Sequence, residues 1–339
     1  MAPGSQGLRV QLIGKANGVG LTRDLELLRQ ALSACGCAVT VRGVTRRDRR
    51  RRRSLLTRWR ARLRRFLGAR PRPGTGYDVN LMLEHMWPQF LHEARLNVAV
   101  PNPEWFDRRD LRFLQDADLV WTKTAHAVQV FGRRGCHTAF IGFDSEDRYD
   151  AAVERAPVFF HLAGKSPLKG TARLLALWQR QPHWPRLLVV QDPAGSVAAP
   201  QAANIDYRAG YLDDAELRRL QNHCQFHLCL SEAEGWGHYI VEGMSTGAVV
   251  ITVDAPPMNE LVTAGRGVLV AAQPGPAFNL SRIMRFDEAA LVAAVERVMA
   301  MTPTQVAALG GAARRWYLDN QLGFHARVCG AVAALPEAS

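Results

Sequence analysis

The stretch QFHLCLSEAEGWGHYIVEGMSTGAVVIT, residues 225–252, decides the fold of its half of the chain. Its first six residues form an apolar run that is typical of a buried strand, and HYIVEGMST follows with a helical pattern. Gly247 stands where a left-handed glycine ends many helices, and AVVIT begins a second apolar run. This order predicts a strand, a glycine-rich turn, a helix and a parallel strand.

The turn EGWG, residues 234–237, then lies at the carboxyl end of a parallel strand and at the N-terminus of a helix. Sheets of this kind bind ligands there, and a helix N-terminus favours a phosphate group. Glu242, one helical turn after His238, can point back to the same cleft. Because a carboxylate repels phosphate, Glu234 and Glu242 are expected to accept hydrogen bonds from hydroxyl groups of a sugar or a ribose. A helix-capping and a solvent-facing glutamate are the alternative at this spacing.

Short apolar strands alternate with helical patterns along most of the chain, which predicts parallel sheets covered on both faces. The first group opens with LRVQLI, the glycine-rich segment GKANGVG (residues 14–20) and a helix. The alternation restarts at APVFFHLAG, after a polar stretch at residues 145–157. We therefore expect two Rossmann-like domains, residues 1–150 and 151–339, with a last helix that can pack back on the first domain.

The basic charge is concentrated in one segment. The chain has 339 residues, of which 47% are apolar and 22% charged, and its net charge is +12. Fourteen arginines and one acidic residue lie between Arg46 and Arg72, more than enough to account for that charge. The apolar residues of the segment fall on one side of a helix, the pattern of an interfacial anchor on an anionic membrane. Packing of this stripe onto the first domain is one alternative and a nucleic-acid-binding or localisation segment is another, although nucleic acid is not the expected partner.

Export and metal binding find no support in the sequence. The N-terminus lacks a basic region followed by an apolar one, and no run is long and apolar enough to span a membrane. We expect a cytoplasmic protein that is peripheral on the inner membrane face if the arginine segment binds lipid. The six cysteines form no C-x-x-C pair and no zinc-ligand spacing, so buried reduced thiols are expected.

Residues 234–260 resemble the signature of retaining GT-B glycosyltransferases of the "glycosyltransferases group 1" (family 4-like) type. That family usually reads E-G-F-G-x-x-x-x-E-A-M-A-x-G-x-P-V-I, followed by a distal glutamate; here Trp236 replaces phenylalanine and Gly243 replaces the small residue after Glu242. The resemblance implies a GT-B fold, two Rossmann-like domains facing across a cleft. It also implies transfer of a sugar from a nucleotide-sugar donor to a hydroxyl of a glycan or lipid-linked acceptor, with retention at the anomeric carbon.

Other segments resemble the same family. HLAGKSPLKG looks like the segment whose two cations clamp the donor diphosphate, here Lys165 and Lys169, although two solvated lysines are the alternative. Residues 207–217 resemble the segment that contacts the nucleobase, and GKANGVG resembles the loop beneath the transferred sugar. His85 follows a predicted strand where many relatives place a histidine near the reacting sugar, and a structural histidine is the alternative. The resemblance thus implies as catalytic residues Glu234, Lys169, Lys165 and His85, and as donor-binding residues Glu242, Gly235, Trp236, Gly237, His238, Tyr211, Leu212, Gly18 and Gly20.

No metal and no cofactor are expected. The two lysines and the helix dipole can stabilise the leaving diphosphate, and the nucleotide-sugar is itself a substrate. Asp116-Ala117-Asp118 mimics a metal-binding D-x-D motif, but it lies at a helix-to-strand junction. A nucleotide-sugar epimerase or phosphorylase-like enzyme of the same fold, and a non-catalytic polybasic membrane or nucleic-acid adaptor, are the competing functions.

Overall fold

The computed structural model describes residues 7–15, 20–52, 54, 56–57, 59–60, 63, 67, 76–195, 201–210 and 212–335. The chain forms two compact units. Unit 1 comprises Met1–Phe143 and Leu322–Ser339, and unit 2 comprises Asp144–Gln321. Each unit contains a six-stranded parallel sheet with helices. The expected α/β class with two Rossmann-like domains is therefore confirmed.

The sheet of unit 1 has the strand order β2-β1-β3-β4-β5-β6, and its neighbouring strands run parallel. The inner strands are almost continuously buried, as parallel sheets require. The strands are β1 (Arg9–Gly14), β2 (Ala38–Gly43), β3 (Tyr77–Leu83), β4 (Ala94–Val100), β5 (Leu119–Thr122) and β6 (Thr138–Phe140). The helices are α1 (Gly20–Ala34), α2 (Arg46–Arg52), α3 (Arg108–Leu114) and α4 (Ala125–Gly132).

The sheet of unit 2 has the order β12-β11-β10-β7-β8-β9, again with parallel neighbours. Its strands are β7 (Ala156–Gly164), β8 (Leu187–Gln191), β9 (Ile205–Ala209), β10 (Cys224–Cys229), β11 (Val249–Val253) and β12 (Val268–Val270). The helices that begin in this unit are α5 (Thr171–Gln179), α6 (Asp214–His223), α7 (His238–Ser245), α8 (Met258–Leu261), α9 (Glu288–Met299) and α10 (Pro303–Ala333).

The βα unit quoted at the outset forms as its sequence predicts. Strand β10 is buried along nearly its whole length, and α7 begins directly after Gly237, which has a φ of 102°. Gly247 follows the helix with a φ of 71°, the left-handed conformation expected of a helix-ending glycine. The turn at residues 234–237 therefore stands between the carboxyl end of β10 and the N-terminus of α7.

One hairpin was not predicted from the sequence, and one helix is longer than predicted. An antiparallel hairpin, β13 (Ala272–Phe278) and β14 (Ser281–Phe286), follows β12. Its first strand contains the sequence QPGP, which is typical of a turn, but proline is tolerated in a strand at the edge of a sheet. Helix α10 extends to Ala333, well beyond the helix predicted around residues 305–316.

The prediction of six reduced cysteines is wrong for one pair. Cys35, after the end of α1, and Cys329 in α10 form a disulfide across 294 residues of sequence. The tertiary fold brings these two segments of unit 1 together, so the bond cannot be predicted from the local spacing of the cysteines. The other four cysteines are free thiols, and burial raises the pKa of Cys37 and Cys224 above the usual value.

The arginine segment is only partly described. Its first helix, α2, buries none of its side chains completely. Further along, the described apolar side chains are exposed to between 44% and 71% of their surface: Leu56, Trp59, Leu63 and Leu67. Leu55 and Phe66, which belong to the same predicted stripe, lie outside the described residues. Within the described residues, no helix combines the length and apolar character that crossing a bilayer demands.

Candidate active site

Two loops at the carboxyl ends of adjacent strands of unit 2 build the candidate site. The first follows β7 and contains a short 3-10 helix, Pro167–Lys169, before α5 begins. The second follows β10 and contains residues 231–237. The backbone N–H of Glu232 donates to the carbonyl of Leu168 at 2.7 Å, which joins the two loops directly.

A buried histidine on β7 connects β10 to the residue that begins α5 after the first loop. The Nδ1 of His161, on β7, lies 2.8 Å from the carbonyl oxygen of Leu228, and its Nε2 lies 2.9 Å from the Thr171 hydroxyl. Burial lowers the pKa of His161 to about 4, so the ring is neutral near pH 7. Because a carbonyl only accepts, Nδ1 carries the proton and Nε2 accepts from Thr171. His161 therefore links β10 to the start of α5.

The two loops bring together a cation, a carboxylate and an aromatic ring. The Lys169 ammonium forms an ion pair with Glu234 and lies 3.5 Å from the centroid of the Tyr239 ring. Glu234 also accepts from the hydroxyl of Ser231 at 2.6 Å, and that hydroxyl lies 2.5 Å from the Tyr239 hydroxyl. Both charged side chains are about 15% exposed, so they are accessible to a ligand yet held in place by their partners. Lys169 and Glu234, predicted separately, thus form one cluster.

The N-terminus of α7 adjoins this cluster. Its N-cap is Gly237 in a left-handed conformation, and among the described residues no side-chain cap hydrogen bond is made there. A Cβ at Gly237 would approach Ile240 to 3.0 Å, so conformation and space both favour glycine here. The indole N–H of buried Trp236 donates to the Ser145 hydroxyl at 3.1 Å, and the same hydroxyl lies 2.9 Å from Nδ1 of His238. Ser145 therefore connects Trp236 of the turn to His238, the first residue of α7.

Glu242 is buried in α7, and a polar network orients it. Its side chain accepts from the amide of Gln221 at 3.1 Å, and Gln221 in turn accepts from Arg148 at 2.9 Å. Arg148 is almost fully buried and forms an ion pair with Asp214 at 2.7 Å. A buried carboxylate is costly unless it has partners. The network explains how the Glu242 carboxylate can remain buried within α7.

The remaining predicted residues of unit 2 either lie outside the Lys169–Glu234 cluster or fall outside the described residues. Lys165 is 59% exposed and pairs with Asp192 at 3.4 Å, after the end of β8. Leu212 is half-buried and packs against an apolar cluster that includes Phe160 and Leu188. Tyr211 lies outside the described residues. A diphosphate role for Lys165 and a nucleobase contact for Leu212 stay predictions.

In unit 1, His85 lies two residues after the end of β3. Its Nδ1 is 2.8 Å from Oδ2 of Asp110, which is completely buried in α3, and its Nε2 is 3.4 Å from Glu84. Gly20 begins α1, and Gly18 lies outside the described residues. The expected contact of these residues with the donor sugar stays a prediction.

Sequence reasoning missed the residues that support the charged ones. Ser231 and Tyr239 flank Glu234 and lie in the quoted stretch, where their hydroxyl groups were an available signal. Gln221 and Arg148 gave no such signal, because one lies in an ordinary amphipathic helix and the other in the polar stretch between the sheets. In the described part of the chain, no group of three or more His, Cys, Asp or Glu could hold a metal ion.

The chain is similar to glycosyltransferases in three comparisons. The family model described as "Glycosyl transferases group 1" matches residues 207–278. Over 56 residues the chain is 45% identical to the GDP-mannose:cellobiosyl-diphosphopolyprenol alpha-mannosyltransferase of Xanthomonas oryzae pv. oryzae, a match that covers 16% of this chain and 15% of that relative. The match thus spans about 15% of that curated relative's length.

Solved structures match almost the whole chain. HepE of Anabaena, in complex with UDP and glucose, has a TM-score of 0.64 at 15% identity, covering 97% of this chain and 100% of that one. A structure of trehalose-6-phosphate from E. coli bound with UDP-2-fluoro glucose has a TM-score of 0.66 at 11% identity, covering 96% and 99%. The chain therefore has the GT-B fold, and its residues 207–278 carry the sequence pattern of the glycosyl transferases group 1.

Proposed function

We propose that this protein is a retaining glycosyltransferase that moves a sugar from a nucleotide-sugar donor to a hydroxyl of a glycan or lipid-linked acceptor. The observation that carries the proposal is the Lys169–Glu234 pair at the uncapped N-terminus of α7, the helix that also buries Glu242. The N-terminus of α7 lies between Glu234 and Glu242 in the sequence, and the Lys169 cation contacts the first of these carboxylates. A ligand with an anionic centre flanked by hydroxyl groups has the matching chemistry, and a nucleotide-sugar is such a ligand.

Each residue has a role in this proposal. Lys169 and the N–H groups of α7 would neutralise the diphosphate as the glycosidic bond breaks. Glu242 would bind the ribose hydroxyls, and Glu234 the hydroxyls of the donor sugar. The Glu234 carboxylate already accepts a hydrogen bond from Ser231, and a hydroxyl of the donor sugar would add a second hydrogen bond to the same carboxylate.

Donor binding is the first test. Calorimetric titration with GDP-mannose and UDP-glucose should show binding of one of them, since one relative is named for the first and similar structures contain uridine nucleotides. Glu242→Gln should weaken binding about 10–100-fold, because a hydrogen bond to a charged group is worth about 1.5–3 kcal/mol. Glu296→Gln, an exposed change of the same kind in α9, is the matched control.

Catalysis is the second test. Lys169→Met should abolish transfer, whereas Arg219→Gln, which removes an exposed cation paired with Glu216, should not. Full activity of the Lys169 and Glu242 variants would contradict this site. Nuclear magnetic resonance of the product gives its anomeric configuration, and inversion would contradict the retaining assignment. A chelator should leave transfer unchanged, and lost activity that returns with a divalent cation would contradict the expectation of no metal.

The alternatives give different results in the same assays. An epimerase would alter the donor without an acceptor, which analysis of the nucleotide-sugar detects. A polybasic adaptor would bind none of the common nucleotide diphosphates or their sugars. Failure of the wild-type protein to bind any of them would therefore favour the adaptor over the enzyme.

The membrane face is proposed as the place of the acceptor. The exposed Trp59 and its apolar neighbours accompany a segment with fourteen arginines, so apolar insertion and attraction to anionic lipid would act together. Flotation with anionic vesicles should recover the protein, and neutral vesicles should recover less. Trp59→Glu should reduce recovery, whereas Leu322→Glu, an exposed apolar residue on α10, should not. Equal recovery with both vesicle types would refute the membrane proposal.

A further inference from the structure

The hydrogen-bond donors on Glu234 converge on one of its two carboxylate oxygens. Oε1 accepts from the Ser231 hydroxyl at 2.6 Å and also from the Lys169 ammonium. In the part of the chain that the structure describes, no donor reaches Oε2. The side chain is 15% exposed, so a ligand can reach the carboxylate. The protein therefore holds one oxygen and leaves the other to accept from a ligand.

The hydroxyl groups beside Glu234 form a chain with a fixed direction. The Ser231 hydroxyl has one hydrogen, and it goes to Glu234 because a carboxylate only accepts. The Tyr239 hydroxyl lies 2.5 Å from the Ser231 oxygen, so Tyr239 must donate to Ser231. Burial raises the pKa of Tyr239 well above its ordinary value, and the charge of Glu234 adds to the shift, so the phenol keeps its proton. The chain thus runs from Tyr239 through Ser231 to Oε1 of Glu234.

The backbone of this loop is held independently of these side chains. The N–H of Glu232 donates to the Leu168 carbonyl at 2.7 Å, and the carbonyl of Glu232 accepts from the N–H of Met284 at 2.8 Å. Ser231, the preceding residue, is completely buried. Because the backbone is fixed in this way, the orientation of the Glu234 carboxylate is decided by the groups that its side chain contacts.

Tyr239 acts on two charged residues through different parts of its side chain. The centroid of its ring lies 3.5 Å from the Lys169 ammonium, whereas its hydroxyl reaches Glu234 through Ser231. An aromatic face attracts a cation through the ring itself, so the contact with Lys169 does not need the hydroxyl. The two contacts can therefore be removed separately, since phenylalanine keeps the ring and leucine keeps neither.

We propose that Ser231 and Tyr239 are positioning residues that orient Glu234 so that its Oε2 accepts a hydrogen bond from one hydroxyl of the donor sugar. This inference rests on the proposed function, in which Glu234 binds that sugar. Because Oε2 only accepts, the sugar must supply a hydrogen at this position. A site built to bind a hydroxyl rejects an analogue that lacks it, since the acceptor is left unpaired. The site therefore favours a sugar with a free hydroxyl there over a deoxygenated, fluorinated or anionic one.

Binding of donors with and without the sugar tests the role of the two hydroxyl groups. Calorimetric titration compares GDP-mannose with GDP, and UDP-glucose with UDP. Tyr239→Phe and Ser231→Ala should each weaken binding of the nucleotide-sugar about 3–10-fold, the usual worth of a neutral hydrogen bond, and should leave binding of the nucleoside diphosphate unchanged. Thr246→Val is the matched control, because it removes a buried hydroxyl that donates to the Gly243 carbonyl at the other end of α7.

The control should bind both kinds of ligand as the wild-type protein does. Equal losses for the nucleotide-sugar and the nucleoside diphosphate in Tyr239→Phe and Ser231→Ala would show that the hydroxyl groups only support the fold, and would overturn the proposal. Unchanged binding of the nucleotide-sugar in both variants would overturn it as well. Either variant alone suffices for this comparison if the other fails to fold.

A further variant separates the ring of Tyr239 from its hydroxyl. Tyr239→Leu removes the ring beside Lys169, so it should also weaken binding of the nucleoside diphosphate, by about 2–5-fold for a cation–π contact of about 0.5–1 kcal/mol. Tyr239→Phe should show no such loss. A loss of nucleoside diphosphate binding in Tyr239→Phe as large as that in Tyr239→Leu would contradict the separate roles of ring and hydroxyl.

Fluorinated donors test the Oε2 contact in the wild-type protein. A series in which one sugar hydroxyl at a time is replaced by fluorine removes one hydrogen-bond donor at a time. One analogue should bind about 10–100-fold more weakly than the parent, because a hydrogen bond to a charged group is lost. That loss should be smaller in Ser231→Ala, where the carboxylate is no longer oriented. Equal small losses at every position would overturn the inference alone, whereas failure of the wild-type protein to bind any nucleotide-sugar would contradict the proposed function itself.

Discussion

Gly243, the residue after Glu242, is expected to resist replacement by alanine, although a small residue other than glycine is usual in the family pattern. A Cβ at this position would lie 2.8 Å from Nδ1 of His227 and 3.2 Å from Val250. Ordinary contact begins at 3.4 Å, so the His227 ring would have to move by about 3.4 − 2.8 = 0.6 Å. That ring lies 2.9 Å from the carbonyl oxygen of Gln221 and against Phe160, and both contacts oppose the movement.

The two effects of the substitution have opposite signs. Overpacking a core typically costs about 1–3 kcal/mol. Alanine is favoured over glycine within a helix by about 1 kcal/mol. Gly243→Ala alone should therefore lower the free energy of unfolding by about 0–2 kcal/mol. With His227→Val already present, the clash with the ring is absent and only the milder contact with Val250 remains, so Gly243→Ala should raise the free energy of unfolding by up to about 1 kcal/mol.

Calorimetric unfolding of the four proteins of this double-mutant cycle measures the coupling, which should be about 1–3 kcal/mol. Gly311→Ala is the matched control, because outside the backbone of its own helix the described residues bring only the flexible end of Arg315 within 4 Å of the added Cβ, at 3.4 Å. It should not destabilise the protein. A coupling below about 0.5 kcal/mol would show that the His227 ring yields freely and would refute the steric reasoning.

Three further predictions concern pH, backbone strain and the disulfide. Burial lowers the pKa of His161 and of His227 from 6.5 to about 4, so the unfolded chain binds more protons between these values. Stability should fall as the pH drops through this window, by roughly 3 kcal/mol for each histidine, and the pH slope of thermal unfolding should be smaller in His227→Val. Glu84→Gly should raise stability by about 1 kcal/mol, because it relieves a left-handed residue, and a stability loss would argue against stored strain. Cys35→Ser should lower stability by about 2–5 kcal/mol, as should reduction of the wild-type protein, and equal melting with and without reductant would mean that the bond to Cys329 is absent in solution.

The parallel sheets could be predicted from the sequence because their strands are continuous apolar runs. Residues 77–83 and 156–164 were predicted at the bounds that β3 and β7 have. The hairpin was not, since an exposed two-stranded ribbon has no such apolar run and contains the turn-like sequence QPGP. The hairpin nevertheless contacts the loop of the candidate site, because the Met284 N–H donates to the carbonyl of Glu232 at 2.8 Å.

The candidate site was predictable in residue type and less so in pairing. The predicted Lys169 and Glu234 lie in contact, but Lys165, which the same pattern treats as equivalent, is exposed and paired with Asp192. A motif specifies which residues are present, whereas the turn conformation decides where each side chain points. The Asp110–His85 contact joins residues 25 apart on different elements, and no local spacing encodes it.

Unit 1 is assembled from the two ends of the chain. Its final segment, from Leu322, includes Phe324, whose ring packs 5.2 Å from that of Phe143, and Arg327, which donates to the Ile141 carbonyl at 2.9 Å. During synthesis the residues of unit 2 are therefore all available before those of unit 1 are. Unit 1, whose first strands emerge before any part of unit 2, can be completed only after the residues of α10 from Leu322 on have emerged. An exchange of this domain between relatives would likewise have to carry both segments together.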